Sequence, residues 1–121
     1  MSDFLALIIE DDAAISAIYA ESLEMAGYET EIIDNGRSAI KRIQEIIPAL
    51  ILLDLHLPEI FGEDVLKAIK NEPKLAKTRI FIATADHIRA EDLRDDVDLI
   101  LLKPISFMQL RDMALRFRPA K

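Results

Sequence analysis

The stretch ALILLDLHLP, residues 49–58, contains five consecutive apolar residues followed by a single carboxylate, Asp54. A short apolar run with Pro48 before it and Pro58 after it is typical of a strand that is covered on both faces of a parallel sheet. Such a strand has no use for an aspartate in its interior. Asp54 is therefore either a solvated strand end or a functional side chain placed at the edge of a sheet.

The composition limits the classes of protein to which this chain can belong. Its 121 residues suit one domain, which we expect to span residues 1–121. A net charge of −7 argues against direct nucleic-acid binding, and the lack of cysteine excludes disulfides and thiolate metal sites. No apolar run approaches the ~20 residues that cross a membrane, and the first residues lack a basic secretory start. We therefore expect a cytoplasmic protein without a membrane segment.

Apolar runs and helical spacing alternate five times along the chain, with short connections between them. This pattern predicts an α/β fold in which a parallel sheet lies between helices, with right-handed crossovers. The apolar runs predict strands over 4–9, 28–33, 49–53, 80–83 and 99–102. The helical spacing predicts helices over 13–26, 37–47, 63–71 and 106–117, and a short helix between 86 and 98.

The ends of the predicted strands carry the polar residues of interest. In a parallel sheet, ligands bind beyond the carboxyl ends of the strands, so residues that follow different strands meet at one edge. Strand three ends in Asp54 and strand four in Thr84, while Lys103 and Pro104 follow strand five. Strand one is followed by three acids, which are Glu10, Asp11 and Asp12. We expect acids, a hydroxyl and an ammonium group to converge there.

Several carboxylates at one edge repel one another and call for a cation. Oxygen ligands without cysteine or a histidine cluster suit Mg²⁺, Mn²⁺ or Ca²⁺. The alternative is that these acids are only solvated strand ends, and for Glu10 and Asp11 the two readings remain open. Asp12 is expected to cap the following helix in either case.

Asp54, Thr84 and Lys103 together with a divalent metal make a site for a phosphoryl group. The carboxylate is the nucleophile, the metal and the ammonium neutralise the transferred oxygens, and the hydroxyl donates a hydrogen bond. A cis bond between Lys103 and Pro104 would turn the chain sharply and aim the lysine inward.

Four motifs at these strand ends resemble the receiver domain of two-component response regulators. They are IIEDD (8–12), DLHLP-x-x-x-G (54–62), ATA (83–85) and LKPI (102–105). The resemblance covers essentially the whole chain, and the motifs stand in the family's order. It implies a flavodoxin-like, doubly wound sheet of five parallel strands in the order 2-1-3-4-5, flanked by five helices.

The resemblance also implies an activity and a role for each matching residue. A histidine kinase or a histidine phosphotransfer protein would donate a phosphoryl group from phosphohistidine to Asp54. Asp11 would bind Mg²⁺ directly, with Mn²⁺ as a substitute, and Glu10 would act mainly through water. Asp12 would be the third member of the acidic run, and the backbone carbonyl of His56 a further metal ligand.

The remaining matches concern the response to phosphorylation. Thr84 would move toward the phosphoryl group and Lys103 would pair with it. The movement would bias the face made by helix 4, strand 5 and helix 5, where a downstream effector or a second copy of the chain would dock as a homodimer. The family usually has an aromatic residue two positions before the lysine, where this chain has Leu101. The chain would be no enzyme beyond promoting its own phosphorylation and dephosphorylation.

Three rival interpretations compete with this one. A Mg²⁺-dependent aspartyl phosphatase needs a second acid two residues after its nucleophile, and this chain has His56 there. A flavin mononucleotide carrier would have its phosphate repelled by Glu10 and its neighbouring acids. A pseudo-receiver, which binds a partner without being phosphorylated, remains as the alternative: the complete set of acids, Thr84 and Lys103 argues against it, but the unusual output face at Leu101 keeps it open. It would take no phosphoryl group and show no Mg²⁺-dependent change.

Overall fold

The computed structural model describes residues 4–119, which form a five-stranded sheet with all neighbouring strands parallel. The order across the sheet is β2-β1-β3-β4-β5. The predicted fold class and strand order are therefore confirmed. The strands are β1 (Leu5–Ile9), β2 (Glu29–Ile33), β3 (Leu50–Asp54), β4 (Arg79–Thr84) and β5 (Leu99–Leu102).

Five helices connect or follow the strands. They are α1 (Ala13–Met25), α2 (Gly36–Arg42), α3 (Gly62–Lys70), α4 (His87–Leu93) and α5 (Phe107–Phe117), with short 3₁₀ turns at Pro73–Leu75 and Arg94–Asp96. None of the helices within residues 4–119 is long and apolar enough to span a lipid bilayer.

Local sequence determines where the first helix starts and stops. The Asp12 carboxylate accepts a hydrogen bond of 3.0 Å from the Ile15 N–H, which confirms its predicted role as the N-cap of α1. Gly27 follows the helix with a φ of 93°, a left-handed conformation that glycine adopts without steric cost.

Helix α2 is shorter than its pattern predicts. The apolar spacing predicted a helix over 37–47, whereas α2 ends at Arg42. The N–H groups of Gln44 and Glu45 bond to carbonyls three residues back, which is a tightened turn and not α-helix. Pro48 disfavours helical backbone in Ile47, so the helix cannot continue to the end of the apolar pattern.

The core consists of two layers, one on each face of the sheet. Helices α1 and α5 cover one face, and α2 and α3 cover the other. Strand β3 is buried at every position, including Asp54. The lone carboxylate thus ends a fully covered strand, and its position is fixed by close-packed neighbours on both sides.

Candidate functional site

The strand register brings the polar strand ends to one edge of the sheet. Ile9 lies opposite Leu53, and Asp54 lies opposite Ala83. One residue further along β4, Thr84 lies opposite Leu102. The residues that follow these strands therefore share one edge, as predicted from the sequence.

Three carboxylates gather at this edge. One oxygen from each of Glu10, Asp11 and Asp54 lies within 4.8 Å of the others, and we call these three residues the acidic cluster. Glu10 and Asp54 are each 2% exposed, whereas Asp11 is exposed. The cluster thus presents oxygen ligands from two buried groups and one solvated group.

Lys103 connects two members of the acidic cluster. Its Nζ lies 3.1 Å from Asp54 Oδ2 and 3.2 Å from Glu10 Oε1. Burial by itself lowers the pKa of Lys103, but the hydrogen bonds and charges of Asp54 and Glu10 outweigh this and raise it above its ordinary value. The lysine is therefore held as an ammonium ion. The peptide bond between Lys103 and Pro104 is cis, and Pro104 itself is exposed.

The carboxyl group of Glu10 is buried in a place that disfavours its negative charge. Burial raises the pKa of its carboxyl to about 7; a hydrogen bond from the Asp12 N–H opposes this rise, and the nearby charge of Asp54 adds to it. Three carboxylates face one ammonium, so an excess of negative charge remains. A divalent cation with a preference for oxygen ligands fits this donor set and would relieve the excess.

Asp54 is held at both carboxylate oxygens. Oδ1 accepts a hydrogen bond of 2.9 Å from the His56 N–H, while Oδ2 accepts from Lys103. The side chain of His56 is exposed. The carboxylate therefore has a fixed orientation at the edge of the sheet.

Thr84 and Leu101 lie where the sequence placed them, but both are buried. Thr84 is 2% exposed, and its hydroxyl accepts a hydrogen bond of 3.0 Å from the Asp86 N–H. Leu101 is also 2% exposed and belongs to the core layer beneath α1 and α5. At the position where the family usually has an aromatic, this chain thus has a buried leucine packed in the core.

Sequence reasoning missed one group beside the site, the guanidinium of Arg89 on α4. It forms an ion pair with Glu63 and donates a hydrogen bond of 3.0 Å to the Leu55 carbonyl. Arg89 and Glu63 are 26 residues apart, and neither belongs to a recognisable motif. Their pairing depends on how α3 and α4 sit on the sheet, so no signal in the sequence could have identified it.

The sequence and the fold both have close counterparts among known proteins. The family model of the response regulator receiver domain matches residues 6–115. The luminescence regulatory protein LuxO of Vibrio campbellii is 34% identical over 105 residues, which are 86% of this chain but 23% of LuxO. The chain thus spans about a quarter of the length of that relative.

A second relative is similar over most of its length. The polar-differentiation response regulator DivK of Brucella anthropi is 31% identical over 103 residues, 83% of this chain and 84% of DivK. Among solved structures, the chemotaxis response regulator CheY4 of Vibrio cholerae superposes with a TM-score of 0.85 at 23% identity, covering 94% of this chain and 98% of CheY4. The structural likeness establishes a common fold.

Proposed function

Because the chain belongs to the response regulator receiver domain family, we propose that it is a phosphorylation-controlled switch whose phosphoacceptor is Asp54. The observation that carries this proposal is the setting of the Asp54 carboxylate. It ends a buried strand, lies within 4.8 Å of two other carboxylate groups and is hydrogen-bonded by Lys103. A solvated strand end would need none of these features.

The proposed reaction is an in-line transfer from a phosphohistidine. An oxygen of Asp54 forms a bond to phosphorus while the bond between phosphorus and the donor imidazole nitrogen breaks. The bonding electrons stay on that nitrogen, which takes up a proton from solvent. The product is an acyl phosphate, and attack by water later releases inorganic phosphate and restores the carboxylate.

The residues of the site divide the work of this transfer. Lys103 supplies a fixed positive charge at one oxygen of the attacking carboxylate, and the His56 N–H orients its other oxygen. Both groups are in place before the reaction, so little reorganisation is needed. Thr84 offers a hydroxyl that can donate to a phosphoryl oxygen, while its oxygen accepts from the Asp86 N–H.

We propose Mg²⁺ as the cofactor, with Mn²⁺ able to replace it. Glu10, Asp11 and Asp54 would hold it through carboxylate oxygens, with the backbone carbonyl of His56 as a further ligand and Glu10 acting mainly through water. When bound, the ion supplies positive charge to the phosphoryl oxygens. Asp12 belongs to the same acidic run, but its carboxylate is engaged as the cap of α1.

The proposed output is a change at the face made by α4, β5 and α5. An added phosphoryl group brings negative charge and strong acceptors, which draw Thr84 and its loop inward. That loop leads directly into α4. A groove of about 340 Å³ lies between α4 and β5, lined in part by His87, Ala90 and Leu102. We place the docking of an effector or a second copy on this face, and a histidine kinase or phosphotransfer protein at the phosphoacceptor edge.

The first test is intact-protein mass spectrometry after incubation with acetyl phosphate, with and without Mg²⁺. We expect a Mg²⁺-dependent gain of one phosphoryl mass that is absent from Asp54→Asn. The matched control is Asp34→Asn, because Asp34 follows β2 at the same edge of the sheet without belonging to the acidic cluster. Equal labelling of wild type and Asp54→Asn would refute the assignment. A folded protein that gains no mass would instead favour the pseudo-receiver.

A second test concerns the metal. Calorimetric titration with Mg²⁺ should show a larger loss of affinity for Asp11→Ala than for any other single acid substitution, because its carboxylate is exposed and forms no ion pair with a lysine between residues 4 and 119. Asp34→Ala is the control and should bind as wild type does. Unchanged affinity of the Asp11→Ala protein would contradict its role as a ligand.

A further inference from the structure

The side chain of Arg89 reaches from α4 into the loop that follows the proposed phosphoacceptor. Nε lies 2.6 Å from Glu63 Oε2, and Nη2 contacts the other oxygen of that carboxylate. Nη2 also donates to the Leu55 carbonyl at 3.0 Å, and Nη1 lies 3.2 Å from His56 Nδ1. One guanidinium group thus contacts three acceptors, one on α3 and two in the loop that follows β3.

This set of contacts needs the shape of arginine as well as its charge. A guanidinium carries five N–H donors in a rigid plane and no acceptor, so it can serve a carboxylate and a carbonyl at once. The ion pair with Arg89 lowers the pKa of Glu63, which keeps that carboxylate charged. A lysine has one nitrogen on a flexible stem and cannot span the same acceptors.

The contacts end on the residues that orient Asp54. His56 donates its backbone N–H to Asp54 Oδ1 at 2.9 Å, and Leu55 follows Asp54 directly. The Leu55 carbonyl accepts from the Gly62 N–H as well as from Arg89. Hydrogen bonds from the first residue of α3 and from a side chain of α4 therefore fix this loop.

The backbone of Arg89 belongs to the other loop of the site. Its N–H and that of Ile88 donate to Asp86 Oδ1, each at 3.0 Å. The Asp86 N–H in turn donates to the hydroxyl of Thr84. Arg89 thus joins the loop that carries Thr84 to the loop that follows Asp54.

We propose that Arg89 is a positioning residue: its guanidinium fixes the Leu55–His56 backbone against α4 and thereby orients the Asp54 carboxylate. Its effect on phosphorylation rests on the proposed function, whereas its effect on the loop does not. Arg89 touches neither the carboxylate of Asp54 nor Lys103, so it acts through the backbone and not as a catalytic residue.

The test compares Arg89→Gln and Arg89→Lys with a matched control, Arg94→Gln. Arg94 follows α4 and, like Arg89, forms an ion pair with a glutamate, which is Glu91. Both side chains of this pair are more than two-thirds exposed, at 69% and 68%. Amide hydrogen exchange by NMR reports on the loop without any phosphoryl donor. We expect the His56 amide to exchange about tenfold faster in both Arg89 variants, the order expected for losing a charge-assisted hydrogen bond. Arg94→Gln should leave it unchanged.

The rate constant for mass gain from acetyl phosphate is the second readout. It should fall about tenfold in both Arg89 variants, because a small misplacement of a reacting group slows the reaction strongly. A role in folding alone would lower the melting temperature and leave this rate constant unchanged, and that result would overturn the proposal. Wild-type behaviour of Arg89→Lys would also overturn it, because the charge alone would then suffice.

The two proposals fail in different ways. If folded wild type gains no phosphoryl mass, the proposed function fails, and amide exchange still decides whether Arg89 holds the loop. If wild type gains the mass and the Arg89 variants match Arg94→Gln in both readouts, the positioning role fails alone. If Arg89→Gln does not fold, Glu63→Gln can replace it, because it removes the same ion pair. The His56 amide should then exchange faster in Glu63→Gln than in wild type.

Discussion

Replacing Lys103 by methionine should destabilise the metal-free protein strongly. The substitution keeps an apolar stem and removes the ammonium that lies 3.1 Å from Asp54 and 3.2 Å from Glu10. Both carboxylates are 2% exposed, so neither can regain its hydration without local unfolding. Removing one partner of a buried ion pair costs about 3–5 kcal/mol.

The expected loss lies toward the lower end of that range. The side chain of Lys103 is 23% exposed, so solvent already screens part of its interaction. We therefore expect the free energy of unfolding to fall by about 3 kcal/mol at pH 8 in EDTA. For a domain of this size, that corresponds to a melting temperature lower by roughly 10 °C.

The loss should depend on pH with a definite sign. The pKa of Lys103 is raised, so its stabilising contribution is complete below its ordinary value of 10.5 and is present throughout the neutral range. The variant lacks the hydrogen bond from Lys103 that lowers the pKa of Glu10, so protonation of Glu10 relieves one of the two unpaired charges and the deficit should shrink as the pH falls from 8. The double variant with Asp54→Asn should recover part of the stability at pH 8.

Thermal unfolding followed by circular dichroism tests this reasoning, with Lys70→Met as the control. Lys70 lies exposed on α3 and has no ion pair with any other residue between 4 and 119. A difference of about 2 °C in melting temperature corresponds to roughly half a kcal/mol. If Lys103→Met and Lys70→Met differ by no more than this at pH 8, the stability of the acidic cluster does not depend on the lysine.

Three further predictions concern stability in urea titrations. Because the pKa of Glu10 is raised from 4.5 to about 7, its stabilising effect is complete below 4.5 and lost as the pH rises through 7; relative to Glu10→Gln, metal-free wild type should lose about 3 kcal/mol over that range. Gly62→Ala should cost about 2 kcal/mol, because its Cβ would lie 2.5 Å from the Leu55 Cα. Tyr28→Phe should cost about 1 kcal/mol, because the buried hydroxyl donates to the Ala114 carbonyl at 2.8 Å.

Each of these has an outcome that would contradict it. Parallel pH profiles for wild type and Glu10→Gln would mean that this carboxyl titrates normally. A Gly62→Ala protein as stable as wild type would show that the loop after Asp54 yields easily. Equal stability of Tyr28→Phe would mean that the Ala114 carbonyl finds another donor.

The sequence predicted the sheet and the residues at its edge because both follow from short-range patterns. Apolar runs identify covered strands, and parallel strands must bring their ends together, so Asp54, Thr84 and Lys103 could be placed without coordinates. The limits of α2 were less predictable, because the apolar spacing continues to Ile47 after the hydrogen bonding has already tightened at Gln44 and Glu45.

Interactions between loops could not be predicted in this way. The contact of Arg89 with Glu63 and the Leu55 carbonyl depends on the length and tilt of a seven-residue helix. Neither the charge nor the spacing of these residues distinguishes them from the exposed pair formed by Glu91 and Arg94. Side chains that follow strands were therefore predictable, and side chains that join one loop to another were not.

The excess of negative charge at the site indicates which movement phosphorylation of Asp54 would favour. In the unphosphorylated protein Lys103 is shared by two buried carboxylates, and burial together with the charge of Asp54 raises the pKa of Glu10 despite the hydrogen bond from Lys103. A phosphoryl group on Asp54 would add negative charge to a place that already has an excess, so it would persist only if further positive charge or donors moved toward it. The Thr84 hydroxyl accepts from the Asp86 N–H and can donate its own proton, so its movement toward a phosphoryl oxygen would leave the Asp86 N–H, at the start of α4, without this acceptor. A movement of α4 would thus accompany the relief of the excess negative charge at the acidic cluster. The contacts of Arg89, on the same helix, with Glu63 and the Leu55 carbonyl would oppose that movement.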